Sequence, residues 1–253
     1  MILFAFKTDV GKVRKKNEDA FGHFGEEFFV VADGLGGLPA GEVAAQLAID
    51  MAIEIYQESK NLRRAFEVAN REIYRQSREK PAYFGMCTTL VGAVVEGRKV
   101  TLANVGDSRA YLLHRLQGDS RRDRRSSRRK SGVAQPRMKP LQASTQREAS
   151  LSGKEISQIT VDHGLGMGVV TRVLGIKPEV KVDFFTQDLK VGDLLLLCSD
   201  GLTTMLADEE ILEILNDVGK TKKAIEKKAK ELIEAANAAG GLDNITVCLV
   251  RVI

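Results

Sequence analysis

Val30-Val31-Ala32-Asp33-Gly34-Leu35-Gly36-Gly37-Leu38-Pro39-Ala40-Gly41-Glu42 is the stretch that decides how the chain is read. The apolar run from Phe28 to Ala32 predicts a buried strand, and that strand delivers one carboxylate, Asp33, where glycines begin and the backbone must turn. Glycine at Gly34, Gly36 and Gly37 permits positive φ and lets the backbone come close to an ion or a phosphate. Past Pro39 the spacing predicts a helix over 41–58, with Val43, Ala44, Leu47, Ala48, Met51 and Ile55 along one face. Taken alone, the stretch fits a hard-cation site or an Asp-Gly turn closing a core strand. Its recurrence elsewhere separates the two readings.

The pattern returns three times. After a hairpin over 85–105, the strand Val100 to Val105 runs into Gly106-Asp107-Ser108-Arg109. The apolar run Leu194 to Ser199 ends in Asp200-Gly201, and Gly240-Gly241-Leu242-Asp243-Asn244 opens a last strand, Ile245 to Val250. Between the first strand, ending near Lys7, and Asp19, a further cluster holds Arg14, Glu18 and Asp19. A guanidinium binds phosphate bidentately, whereas a carboxylate repels it unless a metal lies between them; the bland alternative is a solvated hairpin with a surface ion pair. If the fold gathers Asp33, Asp107, Asp200, Asp243 and Glu18, their repulsion forces protonation or unfolding unless divalent cations neutralise it. Oxygen ligands without His or Cys favour Mg²⁺ or Mn²⁺. Two such ions side by side can activate water while an Arg orients a phosphate for in-line attack. A cysteine-nucleophile phosphatase is disfavoured, because the sixth positions after Cys87 and Cys198 are Ala93 and Thr204 rather than Arg.

The remaining elements read as scaffold. A second helix is expected over 61–78, with others starting near Asp208 and Thr221, each with an apolar stripe. His163 closes the run Ile156 to His163 and reads as a structural turn histidine, since His23, His114 and His163 have no metal-pair spacing. At 253 residues and 43% hydrophobic content, the chain can bury a full core. Cys87, Cys198 and Cys248 show no disulfide or zinc spacing and suggest a reducing compartment. The N-terminal Met1 to Phe6 lacks a basic segment before its short apolar run, and no later run approaches a bilayer span, so a cytoplasmic protein without membrane contact is expected. Residues 115–147 hold 11 Lys and Arg against 2 Asp, a net +9 within a chain total of +4, which leaves the rest mildly acidic. This tract is too polar to offset its chain entropy and is expected to be a disordered insertion. It could attract nucleic acid or acidic surfaces, but it has no aromatic residue for base stacking.

These segments together resemble the metal-dependent protein serine/threonine phosphatases of type 2C, in their bacterial form. The matching stretches are Arg14 to Asp19, Val31 to Gly37, Met86 to Leu90, Asn104 to Ala110, Thr160 to His163, Thr171 to Gly175, Leu197 to Leu202 and Asp243 to Val247, in the family's order. The resemblance implies an α+β fold, a four-layer αββα sandwich of two antiparallel sheets flanked by antiparallel helices. It implies a single domain over 1–253, within which the composition sets a basic, disordered insertion over 115–155. It further implies that Asp33 bridges two Mn²⁺ or Mg²⁺ ions, Glu18 and the Gly34 carbonyl serve one, and Asp200 and Asp243 serve the other. Asp107 would help bind a third, weaker ion, Arg14 would hold the substrate phosphate, and Asp19 would steady metal-bound water.

Two departures from the family pattern stand out. Leu35 occupies a position where many eukaryotic members have a histidine proposed as general acid. Only the seven residues Gly164 to Val170 separate two motifs between which members usually carry a mobile flap. That flap is therefore shortened, displaced into the basic tract, or altered by an error in the recorded reading frame. The resemblance implies hydrolysis of phosphoserine and phosphothreonine on proteins by a monomer, with a Ser/Thr protein kinase among its partners. Alternatives are a phosphatase dedicated to one anti-sigma-antagonist-type regulator, a non-catalytic phosphoprotein-binding module, and a nucleic-acid- or ribosome-associated protein using the basic tract.

Overall fold

A computed structural model describes residues 1–35, 40–115, 148–151, 153–165 and 169–253. Its strands form two antiparallel sheets. The six-stranded sheet has the order β1 (Ile2–Asp9), β11 (Ile245–Val252), β10 (Leu194–Cys198), β6 (Arg109–Arg115), β8 (Lys154–Gln158), β7 (Glu148–Leu151). The five-stranded sheet has the order β2 (Asp19–Phe24), β3 (Phe28–Asp33), β4 (Leu90–Glu96), β5 (Lys99–Val105), β9 (Asp183–Asp188). Strands buried on both faces read as continuous apolar runs, and this is why β3, β4 and β10 are legible in the sequence.

Three apolar layers hold the sandwich together. Between the sheets, Phe29, Val31, Val91 and Leu102 pack against Leu112, Leu195, Leu197 and Val250. The outer face of the five-stranded sheet is covered by α1 (Gly41–Ser59) and α2 (Leu62–Glu79) through Ala48, Ile49, Tyr56 and Phe66. The outer face of the other sheet is covered by α3 (Asp200–Thr203), α4 (Asp208–Leu215) and α5 (Lys222–Ala238) through Leu202, Ile211, Leu212, Ile225 and Leu232. Burying one stripe of each helix on a sheet that is apolar on both faces gives the expected αββα order.

Strand structure resumes at Glu148, ahead of Ile156, where the sequence pattern re-emerges. The basic run begins at Arg115, which is the last residue of β6; residues 116–147 of the expected insertion lie outside the described residues. Three strands escape the sequence pattern: β7, at the edge of the six-stranded sheet and inside the stretch 115–155 expected to be disordered, and β2 and β9. β2 and β9 lie at the edges of the five-stranded sheet, partly exposed, with no clean apolar alternation. The three cysteines are buried and unpaired. Among the described residues, no helix is long and apolar enough to cross a membrane.

Candidate active site

Register places the first two acids side by side. Asp19 opens β2 and pairs directly with Asp33 at the end of β3. Beyond Asp33 the chain is held on both sides: Gly34 N–H donates to Glu18 O at 3.1 Å, and Asp33 O accepts from Thr89 N–H and from the Thr88 hydroxyl at 2.9 and 2.8 Å. A Cβ on Gly34 would lie 2.3 Å from Gly41 O and 2.7 Å from Glu18 O, so only glycine lets the strand end and the start of α1 meet here.

The other acids arrive from the six-stranded sheet. β10 ends at Cys198, Ser199 caps the short α3, and Asp200 is the first helical residue. The Ser199 hydroxyl donates to Asp19 Oδ2 at 2.7 Å and accepts from Thr246 N–H at 2.9 Å, tying the two sheets together beside the acids. Asp243 precedes β11, where Arg14 Nη2 donates to its Oδ2 at 2.7 Å. The next residue, Asn244, is buried and acts as a bolt: its Nδ2 donates to Val10 O and Lys16 O, each at 2.9 Å, and its Oδ1 accepts from Glu18 N–H at 2.8 Å.

The electrostatics follow from this proximity. Withdrawal from water, reinforced by the charges of Asp19, Asp200 and Asp243, holds Asp33 well above the ordinary carboxylate range. Withdrawal from water also pushes Asp19 up to about 7, with Asp200 and Asp243 adding to the effect. Asp200 is raised by burial and by Asp243, and it shares a hydrogen bond with Asp33. Asp107, in the turn after β5, is pushed up to about 6 by burial and then by Asp200. Glu18 is raised by burial and by neighbouring Glu42. Like charges this close cannot all ionise without a compensating cation. Asp19 Oδ1 is buried with no protein partner, an acceptor left for a ligand.

The donor set therefore suits a hard divalent cation: carboxylates, a backbone carbonyl, and no thiolate or imidazole among Glu18, Asp19, Asp33, Asp107, Asp200 and Asp243. Among the described residues, no group of three or more His, Cys, Asp or Glu side chains is arranged so that it could hold a metal ion as it stands. Two of the acids are already engaged, Asp243 with Arg14 and Asp19 with Ser199. Mg²⁺ and Mn²⁺ sites of this kind also use few protein ligands, completing the shell with water.

Comparison with known proteins accords with this geometry. A family model described as protein phosphatase 2C matches residues 12–133. The serine/threonine phosphatase stp of Listeria monocytogenes is 35% identical over 262 residues, covering 97% of this chain and 94% of the relative. The chain belongs to the protein phosphatase 2C family. The crystal structure of the serine/threonine phosphatase Stp1 from Staphylococcus aureus superposes with a TM-score of 0.77 at 29% identity, covering 100% of this chain and 96% of that one. The catalytic domain of the serine/threonine protein phosphatase PstP, in complex with two manganese ions, superposes with a TM-score of 0.74 at 29% identity, covering 100% and 98%.

In this type 2C serine/threonine phosphatase, the acids predicted from the sequence lie within electrostatic reach of one another: Asp19, Asp200 and Asp243 act on Asp33, Asp200 acts on Asp107, and Asp243 and Arg14 act on Glu18, whose carbonyl accepts the Gly34 N–H. Sequence reasoning misses Ser199 and Asn244, which touch the acids or fix their backbone. Their signal is faint, one hydroxyl and one amide each adjacent to an acid, and only their partners give them meaning. Leu35, the departure from the eukaryotic pattern, donates its N–H to Cys87 O at 3.1 Å. The seven-residue connection is drawn closed by a Gly164–Val170 bridge and by Leu165 N–H donating to Val169 O at 3.0 Å; residues 166–168 lie outside the described set.

Proposed function

We propose that this phosphatase works through two Mn²⁺ or Mg²⁺ ions held among Glu18, the Gly34 carbonyl, Asp33, Asp200 and Asp243, with a third ion at Asp107. One observation carries the reading: Asp19 pairs with Asp33 by strand register and is bonded to Ser199 beside Asp200, so acids from three different segments meet, and the charges of Asp19 and Asp200 raise the proton affinity of Asp33. When bound, the ions supply Lewis-acid activation of water and neutralise charge on the phosphoryl group. The chain's own residues do the rest. Arg14, already at the rim on Asp243, is placed to bind the phosphate oxygens of a phosphoserine or phosphothreonine side chain. Asp19, anchored through Oδ2 by Ser199, keeps Oδ1 free to accept a hydrogen bond from water at the reacting centre. Leu35 contributes no proton, so the leaving alkoxide takes its proton from solvent at the site.

The substrates in this reading are phosphorylated proteins, including the Ser/Thr kinase whose action the enzyme reverses. Free, buried cysteines fit a cytoplasmic setting, and a monomer suffices because every proposed ligand lies in one chain. The +9 run over 115–147 is proposed to help recruit acidic phosphoproteins by charge. Calorimetric titration of Mn²⁺ into EDTA-stripped protein, paired with p-nitrophenyl phosphate hydrolysis, tests the core reading. Two tight sites and metal-restored turnover are expected; metal-independent turnover overturns it.

A further inference from the structure

The motif Thr160 to His163 carries no acid of the candidate metal set, yet it clasps the turn that bears one. Asp107 lies between Gly106 and Ser108, in the turn joining β5 to β6. Gly106 has φ +118, and a Cβ there would fall 2.5 Å from the Thr89 Cβ. The Gly106 N–H donates to His163 Nδ1 at 3.0 Å, while His163 N–H donates back to Gly106 O at 3.0 Å. On the far side, Ala110 N–H donates to Thr160 Oγ1 at 2.9 Å, and Arg109 grips Asp162 with Nε to Oδ1 at 3.0 Å and Nη2 to Oδ2 at 2.7 Å. The Ser108 and Thr89 hydroxyls meet at 2.7 Å. The residues flanking Asp107 are thus fixed from several directions.

Hydrogen-bond chemistry settles the histidine's tautomer. An N–H pointing at Nδ1 requires a lone pair there, so the ring proton sits on Nε2, which donates to Asp183 Oδ2 at 2.9 Å. Arg172 then pairs with Asp183 Oδ1 at 3.1 Å, and its approach to Nε2 is a packing contact between two donors. The imidazole is 5% exposed, and burial depresses its proton affinity, consistent with a neutral ring. Both ring nitrogens are engaged, so His163 is not a spare proton donor for a leaving group.

We propose that His163 is a positioning residue for Asp107: by accepting the Gly106 N–H it sets the turn that presents the Asp107 carboxylate to a divalent cation outside the two-ion core. The inference rests on the reading of Asp107 as ligand to a third, weaker ion. Such a site has few protein ligands, so its affinity depends on how well each is held beforehand.

The experiment is a Mn²⁺ titration of the full chain, free of substrate, followed by calorimetry and by the electron paramagnetic resonance signal of free Mn²⁺. His163→Leu and His163→Gln remove the acceptor at the δ position, whereas the Oδ1 of His163→Asn occupies it. The Leu and Gln variants should weaken the weak site roughly tenfold, the scale seen when a partner supporting a metal ligand is lost. The tight sites should stay within about twofold, and the Asn variant should recover most of the weak-site affinity. A merely structural histidine would lower thermal stability in all three variants and leave the weak site unmoved, and that result overturns the proposal. So does equal weakening in the Asn and Gln variants, which decide the matter if the Leu variant does not fold. Asp107→Asn in the same titration separates the two layers: if it keeps the weak ion, the assignment of Asp107 fails whatever the His163 variants do.

Discussion

Arg14 Nη2 donates to Asp243 Oδ2 at 2.7 Å, which joins the proposed phosphate-binding cation to a proposed metal ligand 229 residues away. The pair is exposed on both sides, so it adds little to stability. Its interest is positional: the guanidinium stands within reach of the charges of Asp243, Glu18 and Asp33, and the proposed phosphate-binding role rests on that placement.

Arg14→Ala should therefore raise KM for a phosphopeptide and lower kcat/KM by roughly 2 to 4 kcal/mol, the range for deleting one partner of a charge-assisted pair. Steady-state kinetics under saturating Mn²⁺ measure it. An unchanged KM would make Arg14 a surface residue.

Asp33→Asn, Asp200→Asn and Asp243→Asn should each reduce turnover by several orders of magnitude, because in the proposed mechanism each removes charge that would hold the ions activating the nucleophile. Circular dichroism should show the variants folded. Near-normal turnover with Mn²⁺ in any one of them refutes the ligand set.

The metal-free enzyme should lose stability as pH rises. Asp19 moves from an ordinary 3.8 to about 7 and Asp107 to about 6, and Asp33 and Asp200 are raised as well. Between those limits the native state binds more protons than the unfolded chain, so stability is greatest below the unfolded value and falls through the folded one. His163, held neutral by burial, opposes this below its ordinary 6.5, as one group against four. Glu42, Glu72 and Asp183 are lowered, and their contributions change only near and below their ordinary values of 4.5 and 3.8. In EDTA the melting temperature should drop from pH 5 to pH 8, and Mn²⁺ should cancel the drop because it binds the deprotonated acids. A melting temperature that rises over this range in EDTA contradicts the clustering.

Asn244→Ala should destabilise the protein by about 3 kcal/mol, since it strands the carbonyls of Val10 and Lys16 and the N–H of Glu18. Urea unfolding in EDTA reads this apart from metal binding. A loss below about 1 kcal/mol would mean that water replaces the amide.

Replacing residues 116–147 with a Gly-Ser linker should leave p-nitrophenyl phosphate turnover within about threefold, well under 1 kcal/mol. Charge acts over about one Debye length, roughly 8 Å at physiological salt, so the rate on an acidic phosphopeptide should fall and lose much of its salt dependence. Loss of small-ester turnover in the folded linker variant would make the tract part of the active site.

Local chemistry makes much of this protein legible in its sequence. Continuous apolar runs identify β3 and β10, one-sided stripes identify α1, α2 and α5, and an Asp beside glycine at four strand boundaries marks Asp33, Asp107, Asp200 and Asp243. Those signals are short-range, since periodicity and turn chemistry act within a few residues. The edge strands β2 and β9 give no such signal because, of their residues, only Ala20 is buried. Only the tertiary structure decides which acid meets which: Asp19 beside Asp33 through strand register, Asp33 against Asp200 through the stacking of the two sheets, and Asp243 on Arg14. It also gives Ser199, Asn244 and His163 their roles, because each is defined by a hydrogen bond to a distant segment, to Asp19, Glu18 and Gly106, which lie 180, 226 and 57 residues away. Packing of the apolar layers sets those meetings, and no window of sequence contains both partners.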